Sequence, residues 1–490
     1  MARGEYFTFK SLGEIRERVS TLGLSGSIGF ADDVSPAAHP VMAGPFRHGN
    51  MEFSNRFAIH PMEGWDAEND GTPSENTLRR WERMAESGAA MLWGLEAMAV
   101  AEEYRANPRQ VLIDGRTAGA LEGALKRVRA AHARAFGGAL KLFVGAQLTA
   151  SGRYSGGRPP GTPLARVYDH PELDRRAAKD AAAPLMTDGQ IEDTAGRIGK
   201  AAGLAREIGF DFADIKACHR YWLNETLAAK SRPGPFGGPF ENRVKALFIA
   251  LDSARRGAGV DFPLGVRLSG YDGVPFEEDP ATRREGLKGR GRPSPYTLPY
   301  IWGWGVREDD TMSPDTAEPV RLAKMLAERD VAFLNVTVGS PYSNPHLSRP
   351  TETPPVDGYQ PHRDPLFEVA IHFDVTRAIK RAVPGMLVVG TGYSYLRQWK
   401  AHAAEYNMKS GGVDLAGVGR AVLAYHDEVK CLLESGEAVP GRGRIVCTGD
   451  SACTTGPRLG LVSGCIYDPH YAKVNTEIRE RLKGLGLGRK

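Results

Sequence analysis

A (β/α)8 TIM barrel is the fold that the sequence predicts, and three observations point to it. Short apolar runs alternate with stretches of helical periodicity along most of the chain. One such run, Phe210 to Ile215, is followed at once by Lys216, Cys218, His219 and Tyr221, then by a Gly/Pro turn and a helix beginning near Glu241. Reactive groups at the carboxyl end of a strand are where α/β barrels keep their chemistry. Two late runs end in small residues, Gly390-Thr391-Gly392-Tyr393 and Gly419-Arg420. Such ends let backbone amides approach a phosphate, and a following helix N-terminus favours the anion.

In chain order, residues 1–50 are rich in Gly, Ser and Pro, with one helical pattern at Leu12 to Thr21, and are expected to form an N-terminal arm leading to the barrel floor. The barrel is assigned to 51–435. Its strands are predicted at Arg56 to His60, Met91 to Glu96, Leu140 to Gln147, Phe210 to Ile215, Pro263 to Ser269, Val331 to Val338, Met386 to Gly390 and Val413 to Val418. Helices are predicted at Glu75 to Glu86, Ala118 to Ala135, Gln190 to Glu207 and Thr316 to Arg329. Three long connections, at 152–188, 271–314 and 339–365, lack periodicity. Loops that long inside a compact domain are usually functional or disordered, and the last two are expected above the strand ends, shaping a pocket. Arg267 stands on a strand, where an unpaired cation is expensive, so either a salt bridge or an anionic ligand is expected beside it.

Composition excludes several classes. A net charge of +4 on 490 residues argues against a nucleic-acid partner. No apolar run is long enough to span a bilayer, and the first residues do not read as a signal peptide. Five cysteines in a chain of this length make no disulfide scaffold. A cytoplasmic protein with a small-molecule substrate is expected; a homo-oligomer is left open.

The order of motifs resembles the old yellow enzyme family of FMN-dependent barrels over roughly residues 50–470. Asn55-Arg56 and Pro61-Met62 match the family's first strand, with Glu63 where the family has Thr or Cys beside the flavin. Glu96-Ala97 is similar to the Glu-Ala whose Ala backs the flavin ring, and Gln147-Leu148 to the Gln-Leu whose amide meets the flavin pyrimidine. Lys216-Ala-Cys-His219-Arg-Tyr221 stands where the family has His-x-x-Asn or His-x-x-His and then the proton-donor Tyr; Lys216 departs from that pattern. The resemblance implies that Arg267 faces flavin N1 and C2=O. It also implies that Gly390, Gly392, Tyr393, Gly419 and Arg420 surround the FMN phosphate. The implied reaction is reduction of an activated C=C bond, with Tyr221 as proton donor and Lys216 and His219 holding the substrate carbonyl. Oxidation of an amine, or a non-catalytic electron-transfer subunit, are the alternatives.

The C-terminal extension, 436–490, holds Cys447, Cys453 and Cys465. The iron–sulfur branch of the family, which includes trimethylamine dehydrogenase and 2,4-dienoyl-CoA reductase, carries four cysteines here for a [4Fe–4S] cluster. Asp450 stands in place of the second. A degenerate cluster site, a zinc site and a structural remnant all remain open, since thiolates suit either metal and Gly449-Asp450-Ser451 also reads as a turn. Cys218 and Cys431 read as buried small residues. No Gly-x-Gly-x-x-Gly follows Cys465 in a strand–helix setting, so NAD(P)H is expected to enter the barrel directly, or electrons to come from a partner protein.

Overall fold

The computed structural model describes residues 5–156, 166–177, 184–437 and 446–468, together with Tyr471 and Glu480. The centre of the predicted 152–188 connection and the end of the extension lie outside the described residues. A short hairpin, β1 (Phe46–His48) and β2 (Met51–Phe53), precedes the barrel. The staves are β3 (Phe57–Ile59), β4 (Met91–Leu92) continued by β5 (Ala97–Ala99), β6 (Phe143–Thr149), β7 (Phe212–Ala217) and β8 (Leu264–Tyr271). A small hairpin, β9 (Phe276–Glu278) and β10 (Gly291–Pro293), follows, and then β11 (Phe333–Val338), β12 (Leu387–Gly390) and β13 (Leu415–Val418) complete the ring. All barrel pairings are parallel. The ring closes where β13 meets β3 (Ala416 beside Phe57) and β4 meets β6 (Met91 beside Phe143).

The second stave departs from the sequence expectation of an unbroken run from Met91 to Glu96. It breaks after Leu92 and resumes at Ala97, with Leu95 in the left-handed region at φ 52°. The cause comes from the neighbouring strand: a Cβ on Gly94 would stand 2.6 Å from the Cβ of Gln147. The chain passes over Gln147 only by leaving the sheet. The 271–314 connection is likewise less irregular than expected, since β9 and β10 give it a hairpin.

The helices cover the barrel for ordinary reasons. Asp188–Ile208 starts at a capping box, in which Thr187 Oγ1 accepts from Gln190 N–H (3.2 Å) and Gln190 Oε1 accepts from Thr187 N–H (2.8 Å). It packs on Lys245–Ala258 at backbone distance, because Cβ atoms on Gly199 and Gly257 would meet the opposing main chain.

The lower half of the barrel is an apolar plug. Phe53, Met91, Trp93, Phe212, Phe333, Leu387 and Leu415 are buried there. Phe53 stacks between Phe46 (4.8 Å) and Phe143 (4.6 Å), so the N-terminal hairpin caps the floor. Each fully buried side chain of this kind contributes about 1.5–3 kcal/mol. With the floor filled by these side chains, the cavity lies at the carboxyl ends of the strands.

Candidate active site and its cysteine-lined neighbour

The carboxyl ends of the staves surround a cavity of about 220 Å³. Its walls come from the ends of β3, β6, β7, β8, β12 and β13, from the loop after β11 and from the C-terminal extension. Of the residues singled out from sequence, Pro61, Met62, Glu63, Gln147, Lys216, His219, Tyr221, Arg267, Gly392, Gly419 and Arg420 line it. Ala97 does not; it is paired with Gln147 inside the sheet. Gly390 and Tyr393 stand apart as well. A Cβ on Gly390 would meet Val413 and Thr376, and the Tyr393 ring packs on Phe373 with its hydroxyl accepting from Asn407.

One end of the cavity is built around Glu63. Lys216 Nζ donates to Glu63 Oε1 at 2.9 Å, and Trp65 Nε1 donates to Oε2 at 3.1 Å. The Tyr221 hydroxyl lies 3.2 and 3.1 Å from the two carboxylate oxygens and 2.7 Å from the hydroxyl of Tyr342. The Lys216 ammonium also sits 3.6 Å from the centroid of the Tyr221 ring. Burial and the Glu63 charge push the Tyr221 phenol well above its usual value of 10.0. It therefore holds its proton at every ordinary pH.

Between β7 and Tyr221 the chain makes a tight turn in which His219 (φ 64°) and Arg220 (φ 59°) are both left-handed. Such conformations cost non-glycine residues of order 1–3 kcal/mol each and gather at functional sites. Here they bring Tyr221 back over Lys216. Burial, and the nearby Arg267 and Lys216 cations, hold the His219 imidazole well below 6.5, so it is neutral.

The strands on either side of β7 carry Gln147 and Arg267, with Arg267 in register beside Lys216 and Gln147 beside Asp214. Gln147 Nε2 donates to Asp214 Oδ2 at 2.6 Å on the adjacent strand, which fixes which way the amide faces. Burial raises Asp214 to about 6. Arg267 has no carboxylate partner among the described residues, and its buried Nε bonds to nothing there. The salt bridge that would have made it a structural residue is thus missing. Beneath it, Thr391 Oγ1 donates to Val336 O (2.7 Å) and so accepts from His60 Nε2 (3.2 Å). His60 Nδ1 then accepts from Asn335 Nδ2 at 3.1 Å. Burial keeps that histidine neutral as well.

Sequence reasoning missed His60, Trp65, Asp214 and Arg349 as site residues, and covered Tyr342 only within the 339–365 connection. Asp214 had a signal, since it lies two positions before Lys216 on one strand and so shares its face. Arg349 also lines the cavity and donates to Thr454 Oγ1 at 2.6 Å. Burial, with Arg458 and Arg420 nearby, pushes it down to about 9.

A second, much smaller pocket adjoins the first. It is lined by Cys447, Asp450, Cys453 and Cys465, and it shares Arg420, Leu423 and Cys453 with the main cavity. Its free space is about 10 Å³, room for roughly one water. Burial raises all three thiols, Cys453 to about 11. Asp450 Oδ1 accepts from Ala452 N–H (3.0 Å) and Oδ2 from Thr448 Oγ1 (3.1 Å), the geometry of a turn that starts the helix Ala452–Arg458. Among the described residues no three His, Cys, Asp or Glu side chains are grouped closely enough to hold a single metal ion. The extension is fastened to the barrel through Asp66, which takes Arg80 bidentately at 2.8 Å and also accepts from Ser463 N–H at 3.3 Å. Cys218 and Cys431 are buried. No described helix is long and apolar enough to cross a membrane.

Residues 42–282 match the model of the NADH:flavin oxidoreductase / NADH oxidase family. The NADPH dehydrogenase of Geobacillus sp. (strain WCH70) is 33% identical over 123 residues, which cover 23% of this chain and 36% of that protein. The bilirubin reductase of Mediterraneibacter gnavus (strain CC55_001C) is 23% identical over 455 residues, or 91% of this chain and 60% of that one. In both cases the match spans less than two thirds of the relative. Among solved structures, the old yellow enzyme homologue from Zymomonas mobilis superposes with a TM-score of 0.55 at 18% identity, covering 81% of this chain and 93% of that one, a likeness of fold.

Proposed function

We propose that the chain, whose residues 42–282 match the NADH:flavin oxidoreductase / NADH oxidase family model, is an FMN-dependent reductase of activated C=C bonds in small molecules. The observation that carries this reading is the set of groups gathered on three adjacent strand ends in one cavity. An uncompensated guanidinium (Arg267) and an oriented amide (Gln147) flank the strand that leads to a proton-bearing cluster (Lys216, His219, Tyr221). The donor set fits FMN. Arg267 would meet the pyrimidine edge, where negative charge gathers on reduction, and Gln147 would meet the same ring. Pro61, Met62, Glu63 and Ala97 belong to the segments that would flank the flavin. Gly392, Gly419 and Arg420 would take the phosphate, and Gly390 and Tyr393 would support that loop from behind.

Bound FMN would supply hydride transfer from N5. The rest is done by side chains. His219, being neutral, can donate one N–H to the substrate's carbonyl oxygen, and Lys216 has two N–H groups left after its bond to Glu63. Donors aimed where negative charge grows stabilise the transition state most. Tyr221 then gives its proton to the α-carbon. Electrons would come from NAD(P)H entering the barrel or from a partner protein.

A second reading, oxidation of an amine, draws support from the wall shared by the cavity and the cysteine pocket. Three thiols and a carboxylate facing one pocket suit a [4Fe–4S] cluster better than zinc. Thiolates on one zinc must all lie about 2.3 Å from it, which brings them within contact of each other. Ligands to a cluster are spread across its corners. The loop at Asp450 would have to part to admit one. The deciding experiment is spectroscopic. Flavin absorbance should bleach with NAD(P)H and return on adding an enone; bleaching by an amine alone would favour the second reading, and no flavin at all would defeat both.

A further inference from the structure

Glu63 is bonded to Lys216 as a carboxylate, and a carboxylate has no hydrogen to give. The contacts of 3.2 and 3.1 Å between the Tyr221 hydroxyl and both oxygens of Glu63 therefore use the hydrogen of Tyr221. A phenol has only one. The 2.7 Å contact between the two tyrosine hydroxyls must then be made by the hydrogen of Tyr342, directed at the oxygen of Tyr221. The Tyr342 ring is held for this by stacking on Tyr154 (4.2 Å) and lies parallel to Trp65 (6.4 Å). It belongs to the loop after β11, lines the cavity, and is less buried than Tyr221.

We infer that Tyr342 is the positioning residue that orients Tyr221 and replaces its proton during reduction of the substrate. This rests on the reading of Tyr221 as proton donor. When the O–H bond of Tyr221 breaks and its proton joins the substrate's α-carbon, the O–H bond of Tyr342 breaks and reforms on the Tyr221 oxygen. Water then returns a proton to Tyr342 from the cavity mouth. No electrons move in these steps. Glu63 cannot perform the task because it holds no proton. The Lys216 ammonium, 3.6 Å from the Tyr221 ring centroid, steadies the negative charge while it lasts. Both phenols are raised by burial, so neither rests as a phenolate and the two transfers are coupled.

The test uses Tyr342→Phe, which keeps the stacked ring. Protein reduced with dithionite is reoxidised by 2-cyclohexenone or, separately, by ferricyanide, which takes electrons and needs no proton from Tyr221. General acid–base steps are worth about 10²–10⁴-fold, and loss of the relay should remove roughly tenfold to a hundredfold of the enone rate. The ferricyanide rate should stay within twofold. A proton inventory in mixed H2O/D2O should fall from two protons in flight to one. An unchanged enone rate, or equal slowing with both oxidants, overturns the inference. Neutron diffraction of the wild-type protein tests it without turnover: deuterium on the Tyr342 oxygen, pointing at Tyr221, is expected, and deuterium on Tyr221 pointing at Tyr342 refutes it. If wild-type protein binds flavin and reacts with ferricyanide but never with 2-cyclohexenone, the proposed reaction fails, and the neutron result still decides the orientation.

Discussion

Two carboxylates stand where the family resemblance leads one to expect Thr or Cys, and the structure treats them differently. Glu63 is drawn into the main cavity by groups from distant parts of the chain, Lys216 from β7 and Tyr221 beyond it, with its neighbour Trp65 adding one local bond. Asp450 is satisfied by its own loop, through Thr448 and the first amide of the next helix. The first arrangement orders a cavity of about 220 Å³, and the second closes a pocket down to about 10 Å³. A carboxylate held by tertiary partners can shape a site. One held by its neighbours in sequence shapes only a turn, unless a metal competes for it.

The largest expected effect tests the main cavity as a flavin site. A Cβ on Gly419 would have nothing closer than 3.6 Å, so Gly419→Asp should fold. Its carboxylate would face the anion that this loop is proposed to bind. Flavin absorbance in the purified variant should be lost, with thermal unfolding little changed. Full flavin occupancy in that variant would remove the phosphate from this end of the barrel.

Next in size is Tyr221→Phe. The variant should slow reduction of the substrate by about 10²–10⁴-fold, the usual worth of general acid catalysis. Flavin reduction by the donor should hold. Stopped-flow measurement of the two half-reactions separates these, and equal losses in both would make Tyr221 a structural residue.

Much of this was legible from the sequence, and what was not has physical causes. Barrel strands were readable because a short apolar run that ends in reactive polar groups is what a buried strand opening into a pocket requires. Gly392 and Gly419 were readable as cavity residues because a backbone that lines a pocket closely favours glycine. The break in the second stave was hidden because its cause, Gln147, lies on another strand. Gly390 and Tyr393 were named as one stretch with Gly392, whereas Gly390 packs against Val413 and Thr376 and Tyr393 turns to Phe373 and Asn407, partners that lie elsewhere in the chain. Tyr342 was unreadable as a partner of Tyr221 because loop residues carry no period from which a direction follows. At Asp450 the turn was legible because its bonds are local, while the pocket it borders is assembled from residues far apart in the extension.

A smaller effect tests the cysteine pocket. Asp450→Cys breaks the two local bonds and adds a fourth soft ligand beside Cys447, Cys453 and Cys465. If the wild type holds a cluster after anaerobic purification, it should lose iron readily on exposure to air, since a carboxylate is a harder ligand than a thiolate. The variant should keep its iron and acid-labile sulfide for longer. Neither iron nor sulfide in either protein would make the extension a structural remnant.

The smallest effect returns to Glu63. In Glu63→Gln the Lys216 ammonium loses its partner while remaining almost fully buried, with 3% of its side chain exposed. The unopposed positive charge should stabilise the electron-rich reduced flavin and raise the midpoint potential above wild type. For a two-electron couple about 30 mV corresponds to 1.4 kcal/mol, so an increase of a few tens of millivolts is expected. Midpoint potentials of the two proteins, measured side by side, check this, and equal values would mean that the flavin does not feel this end of the cavity.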